Sequence, residues 1–289
     1  MSARFVVVDS PDDPRLDQFR LRERELRPRR IPARVTKNMP FHEVERVASG
    51  SFVAEGDLVV ERALAAGCRA QAVLTDADEP ASVCALIADG VPMYAATSEA
   101  RRMLTGLGVA LDVIALFERP SPRTLDDVVR DARHVLVLED VDNPTNVGAI
   151  VRSAVALGAQ GLILDRNSAD PLSRRALRVS MGTALSLPTA RVDDPAETLA
   201  TLKASGFTSF GLTPAPDSID LDEATHRANG RLALVMGSER DGLSDRLMGA
   251  VDHRVRIPMS DGVDSLNVAA AAAVACYALL ARSRTEVDD

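Results

Sequence analysis

Short apolar runs of four to six residues recur along the chain, separated by longer stretches whose apolar positions fall three and four apart. The first pattern predicts buried strands, the second helices packed on them. In the N-terminal part, Ala70–Leu74, Val91–Ala95 and Val113–Phe117 read as strands, with helices over Asp57–Ala66 and Ser98–Leu107. Farther on, Val135–Leu138, Gly161–Leu164, Phe207–Leu212, Leu232–Met236 and His253–Ile257 read as strands. Val147–Leu157, Ala196–Ala204 and the alanine-rich C-terminal segment read as helices. Between the two series lies Glu118-Arg-Pro-Ser-Pro-Arg-Thr124, whose two prolines cannot continue a sheet interior. A boundary there gives domains of residues 1–120 and 121–289. Strands spaced by helices imply βαβ units, so the expected fold class is α/β with a mostly parallel sheet covered on both faces. Such sheets bind ligands beyond the carboxyl ends of their strands, which directs attention to the loops of the second domain.

Length agrees with two domains, 289 residues against about 150 per domain. With 46% hydrophobic and 26% charged residues, the chain can bury a substantial core, and general disorder is excluded. The longest apolar run, Val268–Ala281, has 14 residues, is mostly alanine and ends at Arg282, too short and too weakly apolar to span a bilayer. Only Phe5–Val8 precedes Asp9, so no secretory signal is expected. Cys68, Cys84 and Cys276 are far apart, and the histidines are scattered at positions 42, 134, 226 and 253. The expectation is a cytoplasmic protein with neither a disulfide framework nor a metal.

The net charge of −8 argues against a chain that coats nucleic acid indiscriminately. Its distribution is uneven, however. From Arg15 to Arg46, ten basic residues face five acidic ones, a local excess of +5 that includes Arg27, Arg29 and Arg30. This segment is either a solvated helix face laced with ion pairs or an arm that contacts phosphates. With no Trp and 3% aromatic residues, base stacking is not its main mode.

Three loops carry the candidate chemistry. After Val135–Leu138 comes Glu139-Asp-Val-Asp-Asn-Pro-Thr-Asn-Val-Gly-Ala-Ile-Val-Arg152. Here Asn146 is placed to cap the following helix, Gly148 permits close backbone approach, and Arg152 falls on the second turn. An Arg on a mostly apolar helix needs a partner, either a carboxylate or a substrate phosphate. After Leu232–Met236 comes Gly237-Ser-Glu-Arg-Asp-Gly-Leu-Ser244, and after His253–Ile257 comes Pro258-Met-Ser-Asp-Gly-Val-Asp-Ser-Leu-Asn-Val268. In the latter, Ser265 and Asn267 stand at a helix entrance, where free N–H groups and the positive dipole end are available. The small residues beyond them suit close helix packing. No G-x-G-x-x-G follows the first strand of either half, and neither G-x-x-x-x-G-K-[ST] nor G-x-S-x-G occurs. An ordinary dinucleotide or methyl-donor Rossmann fold, a P-loop NTPase and an α/β-hydrolase elbow are thereby disfavoured.

Taken in order, Asn146-x-Gly148-x-x-x-Arg152, Gly237-x-Glu239-x-x-Gly242-Leu243 and Ile257-Pro258-Met259 with Ser265-Leu266-Asn267-Val268 closely resemble the SpoU, or TrmH-like, family of RNA 2′-O-ribose methyltransferases. Arg178-Val-Ser-Met-Gly182 also looks like a helix of that family, and the resemblance spans residues 134–282. Gly50-Ser-Phe-Val-Ala-Glu-Gly56 resembles the start of the family's L30e-like α/β substrate-recognition domain. Two departures stand out: Arg27–Val47 is longer than the pattern, and Ala269 stands where many members carry Ser.

The resemblance implies a C-terminal α/β trefoil knot that binds S-adenosylmethionine in a bent form, a homodimer built through knot helices, and rRNA or tRNA as substrate. It places Gly237, Ile257, Met259 and Leu266 against the cofactor, with Leu212 and Thr213 as further candidates. It gives catalytic positions to Asn146, Arg152, Glu239, Ser265 and Asn267. Family proposals make Arg152 a general base, but a guanidinium does not readily lose its proton, its pKa lying above about 12. A cationic Arg152 that grips a phosphate and stabilises the developing alkoxide is the physically simpler role, with Asn146 positioning the ribose or Arg152 and Glu239 holding the Arg side chain. The first domain and its Arg27, Arg29 and Arg30 arm are then expected to select the RNA. A knotted base methyltransferase and a non-catalytic RNA-binding protein that retains the knot are the alternatives.

Overall fold

A computed structural model of the chain describes residues 5–26, 50–105, 108–260 and 265–281. The chain forms two compact units, Met1–Ser121 with Leu172–Ser186, and Pro122–Pro171 with Leu187–Asp289. The stretch Leu172–Ser186, which the sequence pattern leaves in the second domain, groups with the first unit.

The first unit holds a mixed sheet of β1 (Val6–Val8), β2 (Ser51–Glu55), β3 (Ala70–Asp76), β4 (Met93–Ala96) and β5 (Val113–Glu118), in the order β1-β4-β3-β5-β2. β4 runs parallel to β1 and β3, whereas β5 is antiparallel to β2 and β3. Helices α1 (Asp57–Ala65) and α2 (Ser98–Thr105) accompany it. At the β2–α1 junction Gly56 takes φ +88°, in the left-handed region that L residues avoid. Val8, Phe19, Val53, Leu74 and Ile114 are buried in one cluster of this unit, and Phe52 stacks on Phe117 at 5.3 Å. A short helix, Arg174–Val179, is capped by Ser173 and sets Arg174 and Arg178 3.1 and 3.3 Å from the buried Glu55 carboxylate. Desolvation pushes that carboxyl above its usual range, against the pull of both guanidiniums.

The second unit is built on a seven-stranded sheet in which every pairing is parallel. Its strands are β6 (His134–Leu138), β7 (Gly161–Leu164), β8 (Thr189–Arg191), β9 (Phe207–Leu212), β10 (Ile219–Asp220), β11 (Arg231–Met236) and β12 (His253–Arg256), ordered β10-β12-β9-β11-β6-β7-β8. All five residues of β6 are buried, so the strand shows no in–out alternation, as cover on both faces requires. Helices α3 (Pro144–Ala156), α4 (Pro195–Ala204), α5 (Asp245–Ala250) and α6 (Val268–Cys276) provide cover. Val135, Val137, Ala233 and Val235 pack with Leu199 and Leu202 of α4 and Leu247 of α5. Each Val and Leu side chain among them contributes about 1.5–3 kcal/mol on burial. α3 and α6 pack on each other, and α6 also meets β11. Past α6 the chain widens into one π-helical turn, Tyr277–Ala281.

Candidate active site

The register of the parallel strands decides which loops become neighbours. Val255 pairs with Leu212, Val235 with Gly211, and Met236 with Leu138. The residues just beyond β12, β9, β11 and β6 therefore leave one edge of the sheet side by side. Leu212, Thr213, Ile257 and Met259 are half-buried there. Thr213 is tied down by its N–H, which donates to the Val255 carbonyl at 2.9 Å, and its hydroxyl accepts from the Ala215 amide at 3.2 Å.

The loop after β11 is shaped by its glycines. The Gly242 carbonyl accepts from Ser238 N–H at 3.2 Å, and Gly242 N–H returns a bond to the Ser238 carbonyl at 3.1 Å. This small hairpin folds back over Gly237, so closely that any side chain at 237 would collide with the Gly242 carbonyl and the Leu243 amide. Gly242 itself has φ +69°. Glu239 projects into solvent at the hairpin tip and makes no ion pair with Arg152 among the described residues. Arg240 instead pairs with Asp142 at 2.6 Å.

Helix α3 begins three residues earlier than the apolar pattern predicts. Its cap is Asn143, whose side chain accepts from the Thr145 amide at 2.9 Å, followed by Pro144 at the first helical position. The expected cap, Asn146, is therefore released for another task. It is buried within the first turn, and its Oδ1 accepts a hydrogen bond from Nδ2 of Asn267 at 3.3 Å. Asn267 in turn caps α6, its Oδ1 accepting from the amides of Ala269 and Ala270 at 2.9 and 3.4 Å. One Asn thus satisfies a helix terminus with its oxygen and holds the second Asn with its nitrogen. The cap comes from Asn267, so the Ala269 departure leaves it intact.

Arg152 lies on the third turn of α3, one turn later than the sequence reading places it. It is exposed and makes no hydrogen bond or ion pair among the described residues. Ser265 and Leu266 are exposed just ahead of α6. The structure thus joins Asn146 with Asn267 and leaves Arg152, Glu239 and Ser265 unjoined to them. Arg27, Arg29 and Arg30 lie outside the described residues. The beginning of the same basic segment is ion-paired, Arg15 with Asp13 at 2.6 Å and Arg20 with Asp17 at 3.3 Å.

Burial pushes the Cys276 thiol of α6 up to about 12, which keeps it a protonated non-nucleophile near neutral pH. Among the described residues no group of three His, Cys, Asp or Glu is placed to hold a metal ion, and no helix is long and apolar enough to cross a membrane. Sequence reasoning passed over Glu139, whose carboxylate accepts both the N–H and the hydroxyl of Ser244 at 2.8 Å. The only available signal was an acid directly after a strand.

Residues 133–277 match the model of the SpoU rRNA Methylase family. An uncharacterized tRNA/rRNA methyltransferase of Mycobacterium bovis is 39% identical over 273 residues, covering 93% of this chain and 90% of that protein. Among solved structures, an RNA 2′-O ribose methyltransferase is similar at 27% identity with a TM-score of 0.74, over 97% of this chain and 100% of that one. The SpoU methyltransferase AviRb of Streptomyces viridochromogenes, solved in complex with AdoMet, is similar at 27% identity with a TM-score of 0.68, over 83% and 92%.

Proposed function

Because the chain belongs to the SpoU rRNA methylase family, we propose that it transfers a methyl group from S-adenosylmethionine to a ribose 2′-hydroxyl of rRNA or tRNA. The observation that carries this reading is Arg152, an exposed cation with no partner among the described residues, on the helix whose first turn holds the Asn146–Asn267 pair. An exposed guanidinium that no carboxylate occupies is free to take a ligand's phosphate in a bidentate grip.

The residues at the strand ends suit the cofactor. Leu212, Ile257, Met259 and Leu266 offer apolar surface for a purine, and the absent side chain at Gly237 lets the Ser238–Gly242 hairpin fold back on the end of β11. When bound, the cofactor supplies an already activated methyl group. The chain's task is then alignment and charge management. Arg152 stays protonated, grips an RNA phosphate and stabilises the 2′-oxygen as it gains negative charge, while the proton passes to a phosphate oxygen or water. Asn146, held by Asn267, positions the ribose. Glu239 and Ser265 complete the set at the solvent side. The first unit and the Arg27, Arg29 and Arg30 arm select the RNA. Two copies associate through the C-terminal helices, where Val274 and Tyr277 present exposed apolar surface.

The test is methyl transfer from labelled S-adenosylmethionine to unmodified rRNA and tRNA fractions and to ribosomal subunits, followed by nucleoside analysis. A 2′-O-methylnucleoside is expected. A base-methylated product would overturn the ribose assignment, and cofactor binding with no transfer to any of the three would overturn catalysis.

A further inference from the structure

We infer that Glu139 is a positioning residue: it holds the Gly237–Ser244 loop in its binding shape from the neighbouring strand, without touching substrate or cofactor. The inference rests on reading that loop as part of the cofactor site. Glu139 directly follows β6, which runs parallel beside β11, and its N–H donates to the Met236 carbonyl at 2.9 Å. It is thus level with the root of the loop, but its side chain reaches the far end. Oε2 accepts the Ser244 N–H and Oε1 accepts the Ser244 hydroxyl, each at 2.8 Å. The same hydroxyl accepts from the Leu247 amide at 3.2 Å and so caps α5.

The loop is therefore fixed at both ends and pinched in the middle. Its root is strand β11, its waist is the Ser238–Gly242 pair, and its far end is the Glu139 carboxylate. Glu139 ties the loop through two hydrogen bonds to one residue, and bonds to an ionised acceptor are roughly twice as strong as neutral ones. The Arg240–Asp142 pair also joins the two loops, but both side chains are more than half exposed, and such pairs contribute little. Without Glu139 the loop samples shapes that do not bind. Apparent affinity then falls in proportion to the fraction still in the competent shape.

The experiment titrates S-adenosylmethionine into full-length wild type, Glu139→Ala, Glu139→Gln and Ser244→Ala by calorimetry, with hydrogen exchange read at the loop amides. Glu139→Ala is expected to raise Kd about tenfold, to speed exchange at Gly242 and Ser244, and to leave kcat at saturating cofactor within about threefold of wild type. Glu139→Gln keeps an acceptor for the Ser244 N–H and a donor for its hydroxyl, so its Kd falls between the two. Ser244→Ala moves Kd the same way as Glu139→Ala and carries the test should that variant fail to fold. A folded Glu139→Ala with Kd within about twofold of wild type overturns the positioning role while the functional reading stands. A wild type that binds no S-adenosylmethionine overturns the functional reading and this inference with it.

Discussion

Replacing Gly237 by Ala tests whether the loop at the carboxyl edge of the sheet is built as described. The added methyl would overlap the Gly242 carbonyl and the Leu243 amide by about 1 Å relative to ordinary contact. Those atoms are backbone, so no rotamer change relieves the clash and the hairpin must lift away. Lifting it breaks the two bonds between Ser238 and Gly242, each contributing about 1 kcal/mol, for a loss of about 2 kcal/mol. In a unit of this size that lowers the melting temperature by about 4–8 °C. The chain has no Trp and two Tyr, so unfolding is best followed by far-ultraviolet circular dichroism. Gly249, inside α5, is the control. A methyl there meets nothing within 4 Å, so Gly249→Ala should stabilise by about 0.5–1 kcal/mol. Cofactor affinity should fall sharply in the first variant and hold in the second. A Gly237→Ala protein that melts with the wild type and binds S-adenosylmethionine equally well would refute the reasoning.

Arg152→Ala should leave the unfolding midpoint unchanged, since the side chain is exposed and unbonded among the described residues, while transfer slows by about 100-fold or more. In Arg152→Lys, partial activity with an unshifted pH profile is expected, and a restored rate whose rise moves to lower pH, following the lower pKa of Lys, would favour the general base over the cation. Asn267→Ala removes the α6 cap, which costs about 1 kcal/mol, and leaves the buried Asn146 oxygen without its donor, a further cost of about 1–3 kcal/mol; urea titration reads both. Hydrogen bonds from Arg15 hold the Asp13 carboxyl down at about 2, so wild type should exceed Arg15→Ala in stability above the unfolded carboxylate range. That advantage should vanish as pH falls from about 4 to about 2, and a pH-independent gap in urea titrations would contradict the assignment.

The strand and helix pattern was legible wherever an element was long enough to repeat. β6, β7 and β11 lie where their apolar runs predict, because a strand buried on both faces leaves an unbroken apolar signature. The edge strands β8 and β10 have three and two residues, too few to form a pattern, and β2 was noticed only as part of a motif. The α3 cap lies three residues before Asn146, at Asn143, where the proline that follows is suited to the first helical position.

The order of the motifs along the chain is a property of the sequence, and it sufficed to indicate the family. What the motifs do to one another is not. Asn146 meets Asn267 across 121 positions, and Glu139 meets Ser244 across 105. Neither pairing has a local signature, because helix and strand periodicities govern only neighbours within a turn or a pleat. Only the parallel register of β6, β9, β11 and β12 brings these loops to one edge, and only there can a side-chain amide serve a helix cap and a buried partner at once. Local burial and backbone preference are written residue by residue, whereas the pairing of distant polar groups is settled when the sheet closes and each buried donor or acceptor must find a partner.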